Sequence, residues 1–393
     1  MRTQVGIIGA GPAGLVLAHL LHLEGIESIV LEIRSRHYIE HRLRAGLLEQ
    51  GSAELLIETG VGERLLRERL LHHGVYVKFR GELHHLDFQD LVGQSVMIYP
   101  QQEVVKDLVA HRLRQGGPIL FEVSDVSVAD LTGPRPRIRF TEKDGTAREI
   151  ECDYIAGCDG FHGISRPSIP QSAITNFERI YPFNWLGILA EAPPTKDELV
   201  YTHHERGFAL LTMRSPTLSR LYFQCATDED IANWPDDRIW DEFRLRLAGG
   251  EGWKLSEGPI VQKAISDMMS FACEPMQYGR LYLAGDAAHI VPPTGAKGMN
   301  LAIADVRVLS RALAASYKSN RTDLLQSYSR ICLRRVWKVQ RFSWWMTQLL
   351  HIFDHDNPFD RRRQVADIDY LTTSRAAATT WAENYVGLPM EWD

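Results

Sequence analysis

The sequence predicts an α/β protein that consists of a Rossmann-like βαβ domain, an inserted domain of mixed β-sheet and a helical C-terminal region. A short apolar run at 5–8 is followed directly by the glycine pattern G-x-G-x-x-G, and then by apolar residues at helical spacing. Strand-like segments dominate from residue 181 to residue 270, and the pattern becomes helical over 300–350. We therefore divide the chain into three predicted segments, which are 1–180, 181–270 and 271–393.

The opening βαβ unit contains every part that a dinucleotide needs. Gly9, Gly11 and Gly14 allow a tight turn and let a pyrophosphate approach the backbone where a Cβ would block it, and Ala13 lies in the same turn. The following helix offers free N–H groups and a positive dipole end to the phosphates. A second apolar strand ends at Glu32, 18 residues after Gly14, where a carboxylate accepts a hydrogen bond from a ribose hydroxyl. The unit predicts dinucleotide binding.

A second glycine segment indicates that the bound dinucleotide is a flavin. Residues 281–289 begin as an apolar strand and turn at Gly285 and Asp286. An FAD molecule is held at both its ADP half and its ribityl half, so the two segments together predict FAD. A further strand-to-turn site lies at 154–160, but no second complete G-x-G-x-x-G is present. A nicotinamide cofactor would therefore bind transiently, without a Rossmann domain of its own.

Hydrophobic periodicity predicts the remaining elements. Helical structure is expected over 42–68, 102–115, 229–248 and 300–350, and strands over 74–99, 208–214 and 220–225. The last two strands could pair as a hairpin around the turn at 215–219. Period-two geometry places Thr212 and Arg214 on one face of the first strand, and Arg220 and Tyr222 on one face of the second.

Composition excludes several classes of protein. The 393 residues are 45% hydrophobic and 24% charged, and a net charge of −6 argues against a nucleic-acid partner. No run of 18 apolar residues occurs, so we expect no membrane span. The chain enters its first strand almost at once and its five cysteines are scattered, which predicts a cytoplasmic protein with reduced thiols. Adjacent histidines on a strand point to opposite faces, so we expect no metal site.

Four longer motifs resemble the group A flavoprotein aromatic hydroxylases, and the resemblance covers essentially the whole chain. They are R-L-R-A-G at 42–46, D-Y-I-A-G-C-D-G-F-H-G-I-S-R at 153–166, G-D-A-A-H-I-V-P-P-T-G-A-K-G at 285–298 and A-E-N-Y-V-G-L-P at 382–389. The last is similar to the members of the family that act on para-hydroxybenzoate. The resemblance implies a homodimeric FAD-dependent monooxygenase that converts 4-hydroxybenzoate to 3,4-dihydroxybenzoate. It would use NAD(P)H and O₂ and act through a flavin C4a-hydroperoxide.

The resemblance assigns the carboxylate end of a small aromatic substrate to the predicted hairpin. Arg214 would anchor the benzoate with two charge-assisted hydrogen bonds, which a lysine could not reproduce. Thr212 and Tyr222 could each add a hydroxyl donor. The apolar neighbours on the face of Arg214 favour an inward direction for its side chain.

At the phenol end, the resemblance implies a chain of hydroxyl groups. Tyr201 would hydrogen-bond the substrate oxygen, and Tyr385 would relay the proton towards His72 and solvent. A free phenol has a pKa of about 10, so the site has to lower it before the ring becomes electron-rich. Such a chain, ending at a group that titrates near neutrality, exports a proton without admitting bulk water. Pro293 would place its carbonyl near the substrate hydroxyl.

The resemblance also assigns the cofactor contacts. Those expected to touch or influence the flavin are Arg42, Arg44, Gln102, Arg220, Asp286, Lys297, Gly298, Met299 (through its backbone) and Asn300. Those expected to serve the nicotinamide cofactor as well as FAD are Asp159, Gly160, His162 and Arg166. The segment that contains Arg34, Arg36 and Tyr38 would contact a 2′-phosphate, which implies NADPH, with NADH as the open alternative.

Three positions depart from the family pattern. Thr212 stands where a serine is common, and Ile33 and Met269 stand where basic residues are usual. Thr212 keeps related substrates open, namely 3,4-dihydroxybenzoate, 3-hydroxybenzoate and 4-aminobenzoate. A different class, the GDP-dissociation inhibitors, is similar in fold but binds no flavin, and the intact Gly285–Asp286 and Asn300 segments argue against it.

Overall fold

The computed structural model describes residues 1–44, 46–249, 253–353 and 357–392, so Ala45 of the motif at 42–46 lies outside the described residues. The helices are α1 (Pro12–Leu23), α2 (Arg36–His41), α3 (Gln50–Glu58), α4 (Glu63–Glu68), α5 (Phe88–Val92), α6 (Gln101–Arg114), α7 (Asp236–Arg246), α8 (Gly298–Ser319), α9 (Asp323–Leu350), α10 (Pro358–Thr373) and α11 (Arg375–Val386).

The strands follow the same chain order. They are β1 (Arg2–Ile8), β2 (Ser28–Glu32), β3 (Leu47–Leu48), β4 (Leu70–His72), β5 (Gly74–Phe79), β6 (Glu82–Asp87), β7 (Val96–Ile98), β8 (Ile119–Phe121), β9 (Ser124–Ala129), β10 (Arg137–Thr141), β11 (Ala147–Gly157), β12 (Thr175–Ala190), β13 (Val200–Thr202), β14 (Ala209–Ser215), β15 (Leu218–Cys225), β16 (Ile260–Glu274), β17 (Gln277–Tyr278), β18 (Leu281–Leu283) and β19 (His289–Ile290).

The first sheet has the strand order β17-β18-β11-β1-β2-β8, with β10 and β9 continuing from β11. Strand β1 is parallel to both β2 and β11, and β18 is parallel to β11. Helix α1 packs against α6 and α8. This arrangement confirms the predicted Rossmann-like βαβ domain, and it brings the carboxyl ends of β1, β2, β11 and β18 to one edge of the sheet.

The second sheet is mixed, as predicted, and has the order β19-β16-β12-β15-β14-β13-β5-β6. Strands β14 and β15 form the predicted hairpin, in which Thr212 lies opposite Arg220. Strand β13 pairs antiparallel with β14 but parallel with β5, which comes from the early part of the chain. The sheet therefore joins segments that are far apart in sequence.

Helix α9 packs against the hydrophobic cores of both sheets. Its first half contributes Ile331 and Val336 to the hydrophobic core around the first sheet, and its second half contributes Phe342 and Met346 to the core beneath the second sheet. Phe342 is 1% exposed and so belongs to the core. The helical C-terminal region is confirmed.

Three predicted elements differ in detail from the structure. The helix expected over 42–68 is divided into β3, α3 and α4, and Gly62 sits so close to the backbone of Ile57 that a Cβ would overlap it. The helix expected over 229–248 begins only at Asp236, after Pro235, because proline favours a helix start. The stretch at 74–99 contains α5, which Asp87 caps. Among the described residues, no helix is long and apolar enough to cross a bilayer.

Candidate active site

The first glycine turn, which contains Gly9, Gly11 and Gly14, follows the carboxyl end of β1. Gly9 follows β1 and has φ +104°, and a Cβ on it would overlap the carbonyl of Cys158. A Cβ on Gly14 would overlap the carbonyl of Gly9, whereas a Cβ on Gly11 would meet nothing within 4 Å. Gly9 and Gly14 therefore shape the turn, and Gly11 faces open space at the N-terminus of α1, which has no side-chain cap.

A second uncapped helix N-terminus lies close to the first. Helix α8 begins at Gly298 without a side-chain cap. A Cβ on Gly285, which follows β18, would lie 3.1 Å from Ala302 of α8 and 3.5 Å from Ala13 of α1. The turn is held by Asp305, whose Oδ2 accepts hydrogen bonds from Gly285 N at 2.9 Å and from His289 Nε2 at 2.6 Å. Sequence reasoning missed Asp305, because its partner residues are distant in sequence and no periodic pattern indicates them.

The polar groups around these turns fit an FAD molecule. Gln102 Oε1 and Asp159 Oδ1 are buried and have no hydrogen-bond partner among the described residues. The Asp159 Oδ2 atom is used, since it accepts from the Ser165 N–H and hydroxyl. Asp286 follows Gly285 in the second turn with its side chain solvent-accessible, and desolvation by the surrounding protein raises its pKa. Burial also lowers the pKa of Arg44, which is electrostatically coupled to Asp286.

Glu32 braces the first glycine turn. Its Oε2 accepts from Ala10 N and its Oε1 accepts from Arg34 N, each at 2.8 Å. Each carboxylate oxygen retains a lone pair, so Glu32 can still accept from a ribose hydroxyl. Asn300 is similarly used within the protein, because its amide bonds Glu49 N at 2.9 Å and Leu47 O at 3.0 Å. With FAD bound, the free N–H groups beside Gly11 and Gly298 would meet its phosphates and its pyrimidine ring.

The residues expected to meet the nicotinamide cofactor divide into an exposed group and a buried one. Arg34 and Arg42 lie over the ring of Tyr38, with guanidinium-to-centroid distances of 5.2 and 5.8 Å. His162 is exposed, next to Gly160, whose φ is +77°. Arg166, in contrast, donates to Ala287 O and Phe161 O at 3.1 and 2.8 Å. Arg166 therefore braces the turn at 285–287, while the exposed Arg34 and Arg42, of which Arg42 was expected at the flavin, lie on either side of α2.

The second sheet carries the predicted carboxylate anchor. Arg214 Nη1 donates to Thr212 Oγ1 at 3.1 Å and to Met213 O at 2.9 Å, and Thr212 Oγ1 donates to Arg220 O at 3.0 Å. Burial lowers the pKa of Arg214. Burial alone would raise the pKa of Tyr222, but the charges of Arg214 and Arg220 outweigh it and lower that pKa. The structure thus brings together all three residues expected at the carboxylate end.

A wall of aromatic rings supports this end of the site. The rings of Trp185 and Tyr222 lie 5.1 Å apart, and a Cβ on Gly187 would approach Tyr222 Cδ1 to 2.7 Å. Trp185 Nε1 donates to His351 Nε2 at 2.7 Å, while His351 Nδ1 donates to the Thr347 carbonyl at 2.9 Å. Burial lowers the pKa of His351 to about 3, so the ring is neutral and accepts the indole hydrogen.

The expected tyrosine pair is formed. The hydroxyl oxygens of Tyr201 and Tyr385 are 2.8 Å apart, and both side chains are 0% exposed. Tyr201 donates to Thr294 O at 3.1 Å, so the hydrogen between the two hydroxyls comes from Tyr385. Burial raises the pKa of both tyrosines, which stay protonated at neutral pH. The pair is therefore shielded from solvent, and its hydrogen bonds run in one direction, from Tyr385 to Tyr201 to the Thr294 carbonyl.

The carbonyl beside Tyr201 belongs to Thr294 and not to Pro293. The Pro293 carbonyl accepts from Ala296 N at 2.9 Å within a 3₁₀ turn at Pro293–Gly295. Thr294 is 0% exposed, and its hydroxyl lies 3.1 Å from Thr347 Oγ1 on α9. Since Thr347 Oγ1 donates to Ser343 O, the Thr294 hydroxyl donates to Thr347. Sequence reasoning missed Thr294, because a backbone contact leaves no side-chain signature.

His72 lies at the end of β4 and is 1% exposed. Neither of its ring nitrogens has a hydrogen-bond partner among the described residues, so no direct bond joins it to Tyr385. Burial lowers the pKa of His72 to about 4, whereas the group that ends the chain was expected to titrate near neutrality. Glu198 accepts from the backbone N–H groups of His73 and Gly74 at 2.7 and 2.8 Å, and its other oxygen lies 2.7 Å from His85 Nε2. A proton transfer from Tyr385 to His72 would need a bridging group.

The geometry described above agrees with what comparison with known proteins shows. The family described as FAD binding domain matches residues 2–343. The chain is 48% identical over 392 residues to the p-hydroxybenzoate hydroxylase of Acinetobacter baylyi, covering 100% of this chain and 96% of that protein. It is 26% identical to a probable NADH-specific resorcinol 4-hydroxylase of Rhodococcus jostii, covering 83% of this chain and 61% of that protein.

Solved structures show the same fold. The p-nitrophenol 4-monooxygenase of Pseudomonas putida superposes with a TM-score of 0.83 at 18% identity and covers 99% of both chains. Aklavinone-11 hydroxylase, solved with FAD and aklavinone, has a TM-score of 0.73 at 22% identity and covers 89% of this chain and 69% of its own. From the full-length identity of 48% and the family match, this chain belongs to the FAD-binding flavoprotein aromatic hydroxylases, in the group of p-hydroxybenzoate hydroxylase.

Proposed function

We propose that this protein is an FAD-dependent monooxygenase that converts 4-hydroxybenzoate to 3,4-dihydroxybenzoate with a reduced nicotinamide cofactor and O₂. One observation carries the proposal. Tyr201 of β13, which is bonded to Tyr385 of α11, lies opposite Leu210 of β14, and Thr212 and Arg214 follow Leu210 on the same face, so a phenol-binding hydroxyl and a carboxylate anchor share one face of the sheet. The identity of 48% with p-hydroxybenzoate hydroxylase supports this substrate class.

At the carboxylate end, Arg214 has nitrogens to spare after its bonds to Thr212 and Met213. A carboxylate matches the guanidinium fork with two parallel hydrogen bonds, which fixes both its position and its orientation. Tyr222, held between Trp185 and Arg220, adds a hydroxyl donor whose lowered pKa makes it a stronger one. These groups orient the ring of the substrate, and the aromatic wall excludes water from it.

At the phenol end, Tyr201 accepts one hydrogen bond, from Tyr385, and its oxygen can accept a second from the substrate phenol. Export of the phenol proton requires two hydroxyl groups to rotate in the same step. The Tyr201 hydrogen turns from Thr294 O to the Tyr385 oxygen, and the Tyr385 hydrogen turns away from the Tyr201 oxygen. His72, buried and neutral, is the proposed next acceptor through a bridging group. We propose that the Pro293 carbonyl, which also accepts from Ala296 N, lies near the substrate hydroxyl.

When bound, FAD supplies the hydride acceptance and oxygen activation that no side chain can provide. We propose that the glycine turns at Gly9–Gly14 and Gly285–Asp286, with Glu32, Arg44 and Gln102, hold it. The remaining proposed contacts are Ala13, Arg42, Asp159, Gly160, His162, Arg166, Arg220, Lys297, Gly298, Met299 and Asn300. The exposed cations around Tyr38 favour NADPH as the hydride donor, and the relation to an NADH-specific relative keeps NADH as the alternative.

We also propose a cytoplasmic homodimer. An exposed apolar group supports an interface between copies, because Phe177, Ile180 and Trp337 are 42%, 73% and 42% exposed, and the rings of Phe177 and Trp337 lie 5.4 Å apart. All five cysteines are free and buried, which suits a reducing compartment. Sedimentation velocity of the purified protein tests the dimer, and a monomer at micromolar concentration would contradict it.

The function is tested by following NADPH oxidation by the purified yellow protein with and without 4-hydroxybenzoate, and by identifying the products by chromatography. We expect the substrate to speed oxidation many-fold and 3,4-dihydroxybenzoate to appear in equal amount to the NADPH consumed. Oxidation that yields only peroxide would retain the flavin and reject this substrate. The same assay with 3,4-dihydroxybenzoate, 3-hydroxybenzoate and 4-aminobenzoate then finds the preferred ring, since the Thr212 methyl lies beside the carboxylate anchor.

A further inference from the structure

Glu49, Lys297 and Arg335 form a buried cluster of charges beside the N-terminus of α8, which we name the Glu49 cluster. Lys297 Nζ lies 2.7 Å from Glu49 Oε1, and Arg335 Nη2 lies 2.7 Å from Glu49 Oε2. The side chains of Lys297, Glu49 and Arg335 are only 0%, 5% and 12% exposed. The Glu49 carboxylate thus forms ion pairs with two cations. Removal of either cation would change the net charge of a buried site.

Each cation of the cluster also holds a backbone carbonyl of the C-terminal segment. Lys297 Nζ donates to Tyr385 O at 2.6 Å, and Arg335 Nη1 donates to Leu388 O. Between these carbonyls, Gly387 has φ +107°, and a Cβ on it would overlap the Glu49 carboxylate. Residues 387–392 follow α11 without regular secondary structure. Side-chain contacts, and not a helix or sheet, therefore determine the path of this segment.

The last turn of α11, directly before this segment, carries a tyrosine of the buried pair. The Tyr385 hydroxyl is 2.8 Å from Tyr201, while its carbonyl is held by the Glu49 cluster. A shift of residues 385–388 by one ångström would bring the hydroxyl pair out of hydrogen-bond distance. The backbone of Tyr385 is thus held by the Glu49 cluster through Lys297, while its hydroxyl bonds Tyr201.

We propose that Arg335 is a positioning residue for proton release: through Glu49 and Leu388 it fixes the segment that follows α11, and so holds the C-terminal end of α11 where Tyr385 is bonded to Tyr201. The proposal rests on the proposed function for its link to the substrate phenol. Its structural part, the fixing of residues 385–388, is independent of the substrate. Arg335 touches neither tyrosine hydroxyl, so it acts only through the backbone of the segment and through Glu49.

A second attachment of the segment provides a matched control. Arg334 lies 3.6 Å from Glu391, and Lys338 also contacts this carboxylate, with side-chain exposures of 38% to 43% for the three residues. Such exposed pairs contribute little to stability. Arg334→Met therefore removes a neighbouring cation of the same helix that also contacts the C-terminal segment, but leaves the Glu49 cluster intact.

The test compares Arg335→Met, Arg335→Lys and Arg334→Met in the FAD-reconstituted protein. Hydrogen–deuterium exchange of the peptide that covers 384–392 reports the segment, and ultraviolet difference spectra of bound 4-hydroxybenzoate against pH report the ionisation of its phenol. We expect Arg335→Met to speed exchange at least tenfold and to raise the pH midpoint of phenol ionisation, because the phenolate loses part of its hydrogen-bond support. Arg335→Lys keeps the charge beside Glu49 but loses the fork, so it should rescue part of both effects.

Arg334→Met should change neither measurement. Wild-type exchange and wild-type phenol ionisation in Arg335→Met would overturn the proposal. Faster exchange with an unchanged midpoint would overturn the link to proton release. If Arg335→Met does not fold, Arg335→Lys must still show intermediate exchange and an intermediate midpoint, and wild-type behaviour there would overturn the proposal. A wild-type protein that binds no 4-hydroxybenzoate would reject the proposed function, while the exchange measurement would still decide the role of Arg335.

Discussion

At the scale of single residues, the hydroxyl of Thr212 links two arginines that have different tasks. It accepts from the Arg214 guanidinium and donates to the backbone carbonyl of Arg220. Its single hydrogen is therefore used within the protein, and Arg214 is left as the main donor to a substrate carboxylate. This arrangement differs from the expectation that Thr212 itself donates to the substrate.

Arg214→Lys should raise the KM for 4-hydroxybenzoate at least tenfold, which corresponds to about 1.4 kcal/mol, because an ammonium cannot reproduce the two parallel hydrogen bonds. FAD affinity should not change. Steady-state NADPH oxidation gives KM, and the perturbation of flavin absorbance on titration gives the substrate Kd. Arg238→Lys, at an exposed position of α7, serves as the control. An unchanged KM would place the carboxylate site elsewhere.

Thr212→Val should raise KM by about tenfold, because it removes a buried hydrogen bond to a charged group, worth about 1.5 kcal/mol or more. Thr212→Ser keeps the hydroxyl and should stay within about twofold of the wild type for 4-hydroxybenzoate. The same titrations measure both. A larger rise in KM for Thr212→Ser than for Thr212→Val would mean that the methyl group, which valine keeps and serine loses, determines substrate affinity.

The sequence predicted side-chain roles better than backbone roles. Arg214, Tyr201 and Tyr385 were expected at the site because residue chemistry and family motifs mark them, and the structure does bring Tyr201 and Tyr385 into contact. The Thr294 carbonyl was not expected, because every residue has a carbonyl and only the tertiary fold selects one. Asp305 was missed for a related reason, since its bonds to Gly285 and His289 depend on how α8 packs.

At the scale of elements, the first glycine turn separates two kinds of glycine. Gly14 allows α1 to approach the carbonyl of Gly9, whereas Gly11 faces open space. Both were expected from one motif, but only the packing around each shows which serves the fold and which serves the ligand.

Gly11→Ala should leave the unfolding temperature of the apoprotein within about 2 °C of the wild type, since its Cβ meets no neighbour and its φ of −76° suits alanine. The same variant should bind FAD at least tenfold more weakly, because the new methyl enters the space of the pyrophosphate. Gly14→Ala should destabilise the apoprotein itself. Calorimetry of the apoproteins and fluorescence titration with FAD measure the two effects. Tight FAD binding by Gly11→Ala would show that the pyrophosphate lies elsewhere.

The type of an element could be predicted where a long stretch of residues shows hydrophobic periodicity. It was predicted less well where several short elements follow one another. The helix at Gln101–Arg114 was expected within one residue at each end, and the β14–β15 hairpin was expected as a pair. The parallel pairing of β5 with β13 was not expected, because their residues are more than a hundred positions apart and no local pattern specifies such a partner. The division into three segments remains a prediction.

At the scale of the whole molecule, several buried histidines should make stability depend on pH. Burial lowers the pKa of His19 and His72 to about 4 and that of His351 to about 3. In the unfolded chain these groups titrate near 6.5. The unfolded state therefore binds more protons below pH 6.5, so their stabilisation is fully present above that pH and is lost progressively as pH falls towards 4.

We expect the free energy of unfolding to fall by several kcal/mol between pH 7.5 and pH 4.5, at about 1.4 kcal/mol per proton and pH unit. Urea denaturation at a series of pH values measures it. His19→Gln retains a donor for the Thr59 carbonyl, which His19 Nε2 now contacts at 3.0 Å, and should reduce the slope by one group's share. An unchanged slope would mean that His19 is protonated in the folded state. His289 acts in the opposite sense, since Asp305 raises its pKa and its contribution is lost as pH rises.

The order of strands in the first sheet has a consequence for how the chain is made. The cofactor cradle is built where β1, β11 and β18 end, at Ile8, Gly157 and Leu283. A ribosome that has released only the first two of these strands has produced a chain in which one of the three strand ends of the proposed cradle is missing and β11 has an open edge. FAD can therefore bind only after most of the polypeptide has left the exit tunnel, and the cofactor stabilises the finished protein rather than guiding its early folding.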